Sequence, residues 1–172
     1  MMFHSGFSLR NDHLIFESFL KKSDYCVAGF SYGAIHAALF AAESDERIDT
    51  LQLFSPAFFQ TKKESFRRLQ MGGYLKNPAI YTEKFIESCF APCPIGKVEL
   101  DSGASEEQLR ELLYFEWTDK LMDTIKSKGI RIEVYLGIED RVIDVAGARE
   151  FFIPYATVTS INRANHFLQE CL

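Results

Sequence analysis

The sequence predicts an α/β fold: a small, mostly parallel sheet of about five strands flanked by helices. Three observations predict it. Short β-branched or apolar runs near 25–30, 48–54, 130–136 and 156–161 alternate with longer stretches of helical character. The run Tyr25-Cys26-Val27-Ala28-Gly29-Phe30 is apolar throughout, as a strand covered on both faces must be. The chain has 172 residues, 47% hydrophobic and 25% charged, which is enough for one domain with a genuine core.

Each element follows from its residues. Met1-Met2-Phe3 is expected to end a first strand near 1–4, and Leu14 to Leu20 to form a helix joining it to the strand at 25–30. Ala34 to Ala42 is alanine-rich and reads as a buried helix. After the strand at 48–54 comes the longest interruption of the strand rhythm, a helical lid spanning 57–118 inserted before the fourth strand of a single domain covering 1–172. Phe58 to Met71 has helical character, broken by Gly72-Gly73, and a second helix covers Thr82 to Phe90 before Pro92-Cys93-Pro94 stops it. Ser105-Glu106-Glu107-Gln108 is a capping box, expected to open one long amphipathic helix through Leu109, Leu112, Leu113, Leu121 and Ile125. Ile130 to Leu136 alternates as a strand, Val145 to Phe152 reads as a helix stopping near Pro154, and Ala156 to Ile161 is the last strand.

Gly29-Phe30-Ser31-Tyr32-Gly33 lies where the central strand turns into the alanine-rich helix. A turn that sharp strains the serine and projects its hydroxyl beyond the sheet edge, and glycines two residues either side leave room for it. A serine hydroxyl is a poor nucleophile until an imidazole takes its proton. His166 supplies one in the loop after the last strand. Asp140 lies just past the strand 130–136, at the carboxyl end where open sheets place working residues. The 26 residues from Asp140 to His166 fit one loop, helix, strand and loop, which returns His166 to the same edge. Asp144 is the rival carboxylate, but its position suits an N-cap of the following helix. His36 points away from the turn on the helix after Ser31, His4 either shapes the loop after the first strand or sits at the surface, and His13 has no visible partner.

Composition narrows the classes further. No run of about 18 apolar residues exists, so no membrane span is expected. The N-terminus has no basic region followed by an apolar stretch, so no signal peptide is expected. Cys26, Cys89, Cys93 and Cys171 are scattered, and reduced thiols in a cytoplasmic protein are the expectation. A net charge of −5 argues against nucleic acid as a partner. The arrangement calls for no cofactor and no metal.

The order Ser31, Asp140, His166, together with Gly137-Ile138-Glu139-Asp140 and Asn165-His166-Phe167, resembles the three catalytic loops of the α/β-hydrolases. The resemblance implies a Ser-His-Asp triad. His4-Ser5-Gly6-Phe7-Ser8 is similar to the family's His-Gly loop, with Ser5 inserted, which makes the backbone N–H groups of Phe7 and Tyr32 the expected oxyanion donors. The first two strands of larger members, and the one between the oxyanion loop and the nucleophile strand, have no counterpart here. Their loss exposes sheet edges and leaves an unusual edge cover or an oligomer open.

Within the lid, Thr61 to Lys76 holds Lys62, Lys63, Arg67, Arg68 and Lys76 against Glu64 alone, a local balance of +4 in an acidic chain. Such a stripe attracts an acidic partner. A tiny hydrolase with a basic helical lid resembles the short bacterial form of the pimeloyl-acyl-carrier-protein methyl ester esterases of biotin synthesis. That resemblance implies an acyl carrier protein docking on Lys62, Lys63, Arg67 and Arg68, and hydrolysis of the methyl ester at the far end of its acyl chain. Phe58, Phe59, Phe66, Tyr74, Tyr81, Phe85 and Phe90 are expected to line an acyl channel or to pack. The alternatives are a general carboxylesterase or acyl thioesterase of the same fold, and a non-catalytic hydrolase-like binding module.

Overall fold

Five parallel strands form the central sheet: β1 (Met2–His4), β3 (Cys26–Phe30), β4 (Thr50–Phe54), β6 (Arg131–Gly137) and β7 (Thr157–Ile161), side by side in that order. The structure is a computed structural model and describes residues 1–171. Because every neighbouring pair is parallel, all strands run one way and all their carboxyl ends meet along one edge. Every residue of β3 and β4 is buried, so both faces of the sheet are covered.

The two faces differ in their cover. Helix α1 (Tyr32–Glu43) packs on β3 and β4, and α5 (Asp119–Ser127) packs on α1. Its alanines (Ala34, Ala37, Ala38 and Ala41) are completely buried, and their small side chains let the helix lie close to its neighbours. The other cover is aromatic. Phe16 stacks on Phe54 with ring centres 4.8 Å apart, and Phe19 reaches Tyr135 on β6. The expected helix over 14–20 is instead a short 3-10 turn, Asp12–Phe16, followed by irregular chain. Five residues suffice to drop Phe16 into the core, where burying a ring of that size contributes roughly 2–3 kcal/mol. Beneath it Gln52 is tied to the Lys21 N–H (2.9 Å), the Phe19 carbonyl (3.0 Å) and Glu133 (3.1 Å), so that buried amide is satisfied.

Between β4 and β6 the chain leaves the sheet and forms α2 (Glu64–Lys76), α3 (Pro78–Phe90), β5 (Glu99–Leu100) and α4 (Glu106–Tyr114) before reaching α5. Four boundaries depart from expectation. Helix α2 starts at Glu64, not Phe58, because Phe58 and Phe59 turn into the core as irregular chain. Gly72 and Gly73 lie inside α2, because a residue larger than glycine at 73 would crowd the Tyr81 ring of α3 at 3.3 Å. Helix α3 starts four residues early, with Asn77 capping Ile80 N–H and Pro78 in the first turn. The stretch after the Ser105–Gln108 capping box is two helices, not one. Trp117 breaks it by turning inward: its indole N–H donates to the Ala57 carbonyl (2.8 Å), its amide donates to Gln60 (2.7 Å), and Thr118 then caps α5. The detour is pinned to the start of the chain by β5 pairing antiparallel with β2 (Leu9–Arg10).

Helix α6 (Val145–Phe152) packs on β6 and β7, with Asp144 capping the Gly147 N–H at 3.1 Å. The cysteines correct the expectation of free thiols: Cys93 and Cys171 form a disulfide, while Cys26 and Cys89 are free and buried. Their separation of 78 residues leaves no local spacing signal. No helix among the described residues is long and apolar enough to cross a membrane.

Candidate active site

The carboxyl ends of β3, β6 and β7 bring Ser31, Asp140 and His166 together. Ser31 is the single residue between β3 and α1, at φ 52°, ψ −112°. That backbone region costs an L-residue on the order of 1–3 kcal/mol and must be held by its surroundings. Holding it are the Ser31 N–H on the Phe54 carbonyl (2.9 Å) and the Ser31 carbonyl, which accepts from Ala34 and Ala57 (3.1 Å each). The two flanking glycines are required by contact. A methyl group on Gly29 would overlap the Gly33 carbonyl, and one on Gly33 would overlap the carbonyls of His4 and Ser5.

Asp140 and His166 are placed with equal care. Gly137, at the end of β6, lets the Asp140 loop press against the Ala164 and Asn165 carbonyls of the His166 loop. One carboxylate oxygen of Asp140 accepts from the Val142 (2.7 Å) and Ile143 (3.3 Å) N–H groups. The other lies 2.6 Å from His166 Nδ1, and His166 Nε2 lies 3.0 Å from Ser31 Oγ. All three side chains are shielded: His166 is 0% and Ser31 2% exposed. An imidazole between a carboxylate and a hydroxyl can accept the hydroxyl proton while the carboxylate fixes its tautomer.

The oxyanion candidates stand close by. The Gly6 N–H donates to Asp12 Oδ2 (2.8 Å) and Leu9 N–H to the Gly6 carbonyl (3.1 Å), which shapes the loop around Phe7 despite the inserted Ser5. Among the described residues, neither the Phe7 nor the Tyr32 N–H makes a hydrogen bond within the chain. Burial raises the Asp12 carboxyl above its ordinary value, against the smaller pull of the Ser5 hydroxyl and the Gly6 N–H. Burial, and secondarily His36, lowers His4.

Two positioning residues carry little sequence signal. Asn165 is fully buried: its oxygen accepts from the Phe167 (3.0 Å) and Gln169 (3.1 Å) N–H groups, and its amide donates to the Phe90 carbonyl at the end of α3 (2.9 Å). Only its place directly before His166 could have singled it out. Glu111, on α4, accepts from the Tyr32 hydroxyl at 2.6 Å and lies 3.5 Å from His36. Burial first and then that contact push the Tyr32 hydroxyl far up. Nothing in the spacing of α4 marks Glu111.

Other expected site residues are distributed unevenly. Lys63 and Arg68 are exposed, and Lys62 leans over the Phe66 ring. Arg67 is turned inward, donating to the Phe59 carbonyl (3.0 Å) and lying over the Tyr114 ring, with its side chain only 14% exposed. It serves packing, because the aliphatic stem and planar head find partners on α4 and the preceding loop. The expected aromatic channel is filled: Phe58, Phe59, Tyr74 and Phe90 are buried, and Tyr74 and Phe85 pack edge-on to Phe7. None of the three main cavities is lined by Ser31, Asp140 or His166. Among the described residues, no group of three His, Cys, Asp or Glu side chains is placed to hold a metal ion.

Solved structures share this architecture. A carboxylesterase of the thaumarchaeon Nitrososphaera gargenis superposes with a TM-score of 0.58 at 16% identity, over 83% of this chain and 57% of its own. An esterase from Exiguobacterium antarcticum gives 0.59 at 14% identity, over 82% of this chain and 59% of its own. The fold is that of the α/β-hydrolases. E-2-(acetamidomethylene)succinate hydrolase matches across 99% of this chain and 85% of its own, with a TM-score of 0.58 at 15% identity. At such identities the likeness concerns the hydrolase fold alone, and the chain spans little more than half the length of the two esterases. No family profile matches the sequence, and no curated protein is similar to it at a significant level.

Proposed function

We propose that the chain is a serine carboxylesterase. The observation that carries this reading is the continuous contact from Asp140 through His166 to Ser31, with the serine held in a strained turn at the head of α1. Ser31 Oγ attacks the ester carbon while His166 Nε2 takes its proton. The carbonyl π electrons move onto oxygen, facing the N–H groups of Phe7 and Tyr32. Collapse of the intermediate breaks the bond to the alcohol oxygen, which leaves with the proton from His166. Water, deprotonated by the same imidazole, then releases the acid and restores Ser31.

The finer reading is the methyl ester of a pimeloyl chain borne on an acyl carrier protein, released as methanol, with residues 57–118 as the lid. Its support is the pair of exposed cations Lys63 and Arg68, with Lys62 beside them, on a chain of net charge −5. Arg67 drops out as a docking residue because it is committed to Phe59 and Tyr114. The reading also carries a cytoplasmic setting, where the Cys93–Cys171 bridge would have to persist against a pool that normally keeps thiols reduced.

Fluorophosphonate labelling of the native protein and of Ser31→Ala tests the esterase. Labelling confined to the native chain is expected; labelling of neither leaves a hydrolase-like binding module, and equal labelling of both removes Ser31 as the nucleophile. Matched carrier-bound and free methyl esters test the substrate. Lys62→Gln/Lys63→Gln/Arg68→Gln should slow the carrier-bound ester and spare the free one. Equal rates on acyl thioesters would favour the thioesterase reading.

A further inference from the structure

A cavity of about 1210 Å³ lies beside the oxyanion loop, between α3 on one side and the β2–β5 ribbon on the other. Its volume slightly exceeds that of ordinary small-molecule sites, and its lining is mainly apolar. Leu14, Ile95 and Leu100 line it and are each more than half exposed. Three large apolar side chains gathered around one opening mark a surface that gains by being covered.

Ser31 is shut off from solvent, and the cavity stops short of it. Tyr74 forms part of the cavity wall and packs against Phe7, whose N–H is the expected oxyanion donor. Ser8, the next residue, also lines the cavity. The opening therefore borders the loop that carries the expected oxyanion donor.

Its unpaired rim charges lean negative. Arg10 is matched by Glu99 at 3.3 Å, and Asp101 is turned onto the Gly103 N–H at 2.9 Å. Glu83 and Glu87, one turn apart on α3, are exposed on the rim and make no ion pair among the described residues, with Lys97 the remaining cation of the lining. Against the single Lys97, a chain ending in carboxylate would meet two like charges there; a neutral or ammonium-ended chain would not.

We propose that this cavity holds the apolar chain of the ester, and that Glu83 and Glu87 make it select uncharged or ammonium-ended chains over carboxylate-ended ones. The proposal rests on the esterase reading for its kinetic consequence, while chain binding stands apart from it. Two screened surface charges acting together correspond to roughly tenfold discrimination.

The first test measures kcat/KM for seven-carbon methyl esters ending in methyl, ammonium or carboxylate. The native protein should favour the ammonium over the carboxylate ester about tenfold. Glu83→Gln/Glu87→Gln should shrink that ratio to near one, and Glu83→Lys/Glu87→Lys should invert it. Turnover of p-nitrophenyl acetate, which is too short to reach the rim, should be unchanged in both variants. A native ratio near one, or one indifferent to these substitutions, overturns the proposal while acetate turnover leaves the esterase standing. The second test needs no chemistry: saturation-transfer NMR on Ser31→Ala should show tighter binding of octylamine than of octanoate, with Glu83→Lys/Glu87→Lys reversing the order. Absence of octylamine binding sinks the cavity assignment even if the protein hydrolyses esters.

Discussion

Replacing Asp140 by asparagine would test the relay with almost no change of shape. The Val142 and Ile143 N–H groups, at 2.7 and 3.3 Å, both donate to one carboxylate oxygen. An asparagine must therefore turn its carbonyl oxygen to them and its NH2 to His166 Nδ1, 2.6 Å from the present oxygen. Two donors cannot face each other, so His166 must carry its proton on Nε2 and accept at Nδ1. Nε2 then donates to Ser31 Oγ instead of taking its proton. A wrong tautomer of this kind costs about 10⁴ in kcat, or about 5.5 kcal/mol of barrier. The backbone donors stay satisfied, so the melting temperature should move by no more than about 3 °C. Asp140→Ala would instead strand two N–H groups and cost roughly 1–3 kcal/mol of stability for each. The assay is p-nitrophenyl acetate hydrolysis at neutral pH, with fluorophosphonate labelling rates and thermal melts on the same samples. A folded Asp140→Asn protein that keeps more than a tenth of native kcat would refute the relay.

Tyr32→Phe removes the hydroxyl bond to Glu111, and because that carboxylate is 40% exposed and rehydrates, the loss should be about 1 kcal/mol, read as a drop of roughly 2–4 °C in melting temperature; a double-mutant cycle with Glu111→Gln showing no coupling would contradict this. Asp12→Asn retains an acceptor for Gly6 and removes a carboxyl that burial raises. Stability from a raised carboxyl is fully present below its unfolded pKa, about 3.9, and is lost as pH rises through the higher folded value. The variant should therefore gain on the native protein between pH 4 and pH 7 in urea titrations, and a difference independent of pH would count against buried ionisation. Cys93→Ser opens a 78-residue covalent loop and should destabilise by about 2–4 kcal/mol. Thiol titration of the denatured native protein without reductant should find Cys26 and Cys89 only, and four reactive thiols would mean the bridge does not form.

How far the sequence reaches depends on how local each cause is. The turn at Ser31 was legible because the glycines, the apolar strand and the alanine-rich helix are contiguous, and their requirements are met within a few residues. The loops of Asp140 and His166 followed from counting elements, since parallel strands fix where each loop must return. Failures came from distant partners. Trp117 splits a helix because Ala57 and Gln60, some sixty positions away, accept and orient it. Tyr81 makes Gly73 a packing residue instead of a break, and Phe59 with Tyr114 withdraws Arg67 from the surface. The Cys93–Cys171 pairing has no periodicity to betray it.

The detour between β4 and β6 contains one wall of the cavity, the cations and the aromatic roof, yet contributes none of the three relay side chains. On the esterase reading, the reacting side chains thus lie outside the detour, which touches them only through backbone groups such as the Ala57 N–H on the Ser31 carbonyl and the Phe90 carbonyl under Asn165. A foreign excursion grafted between residues 61 and 116, keeping Ala57, Gln60 and Trp117 in place, would be the direct way to give this scaffold a different roof.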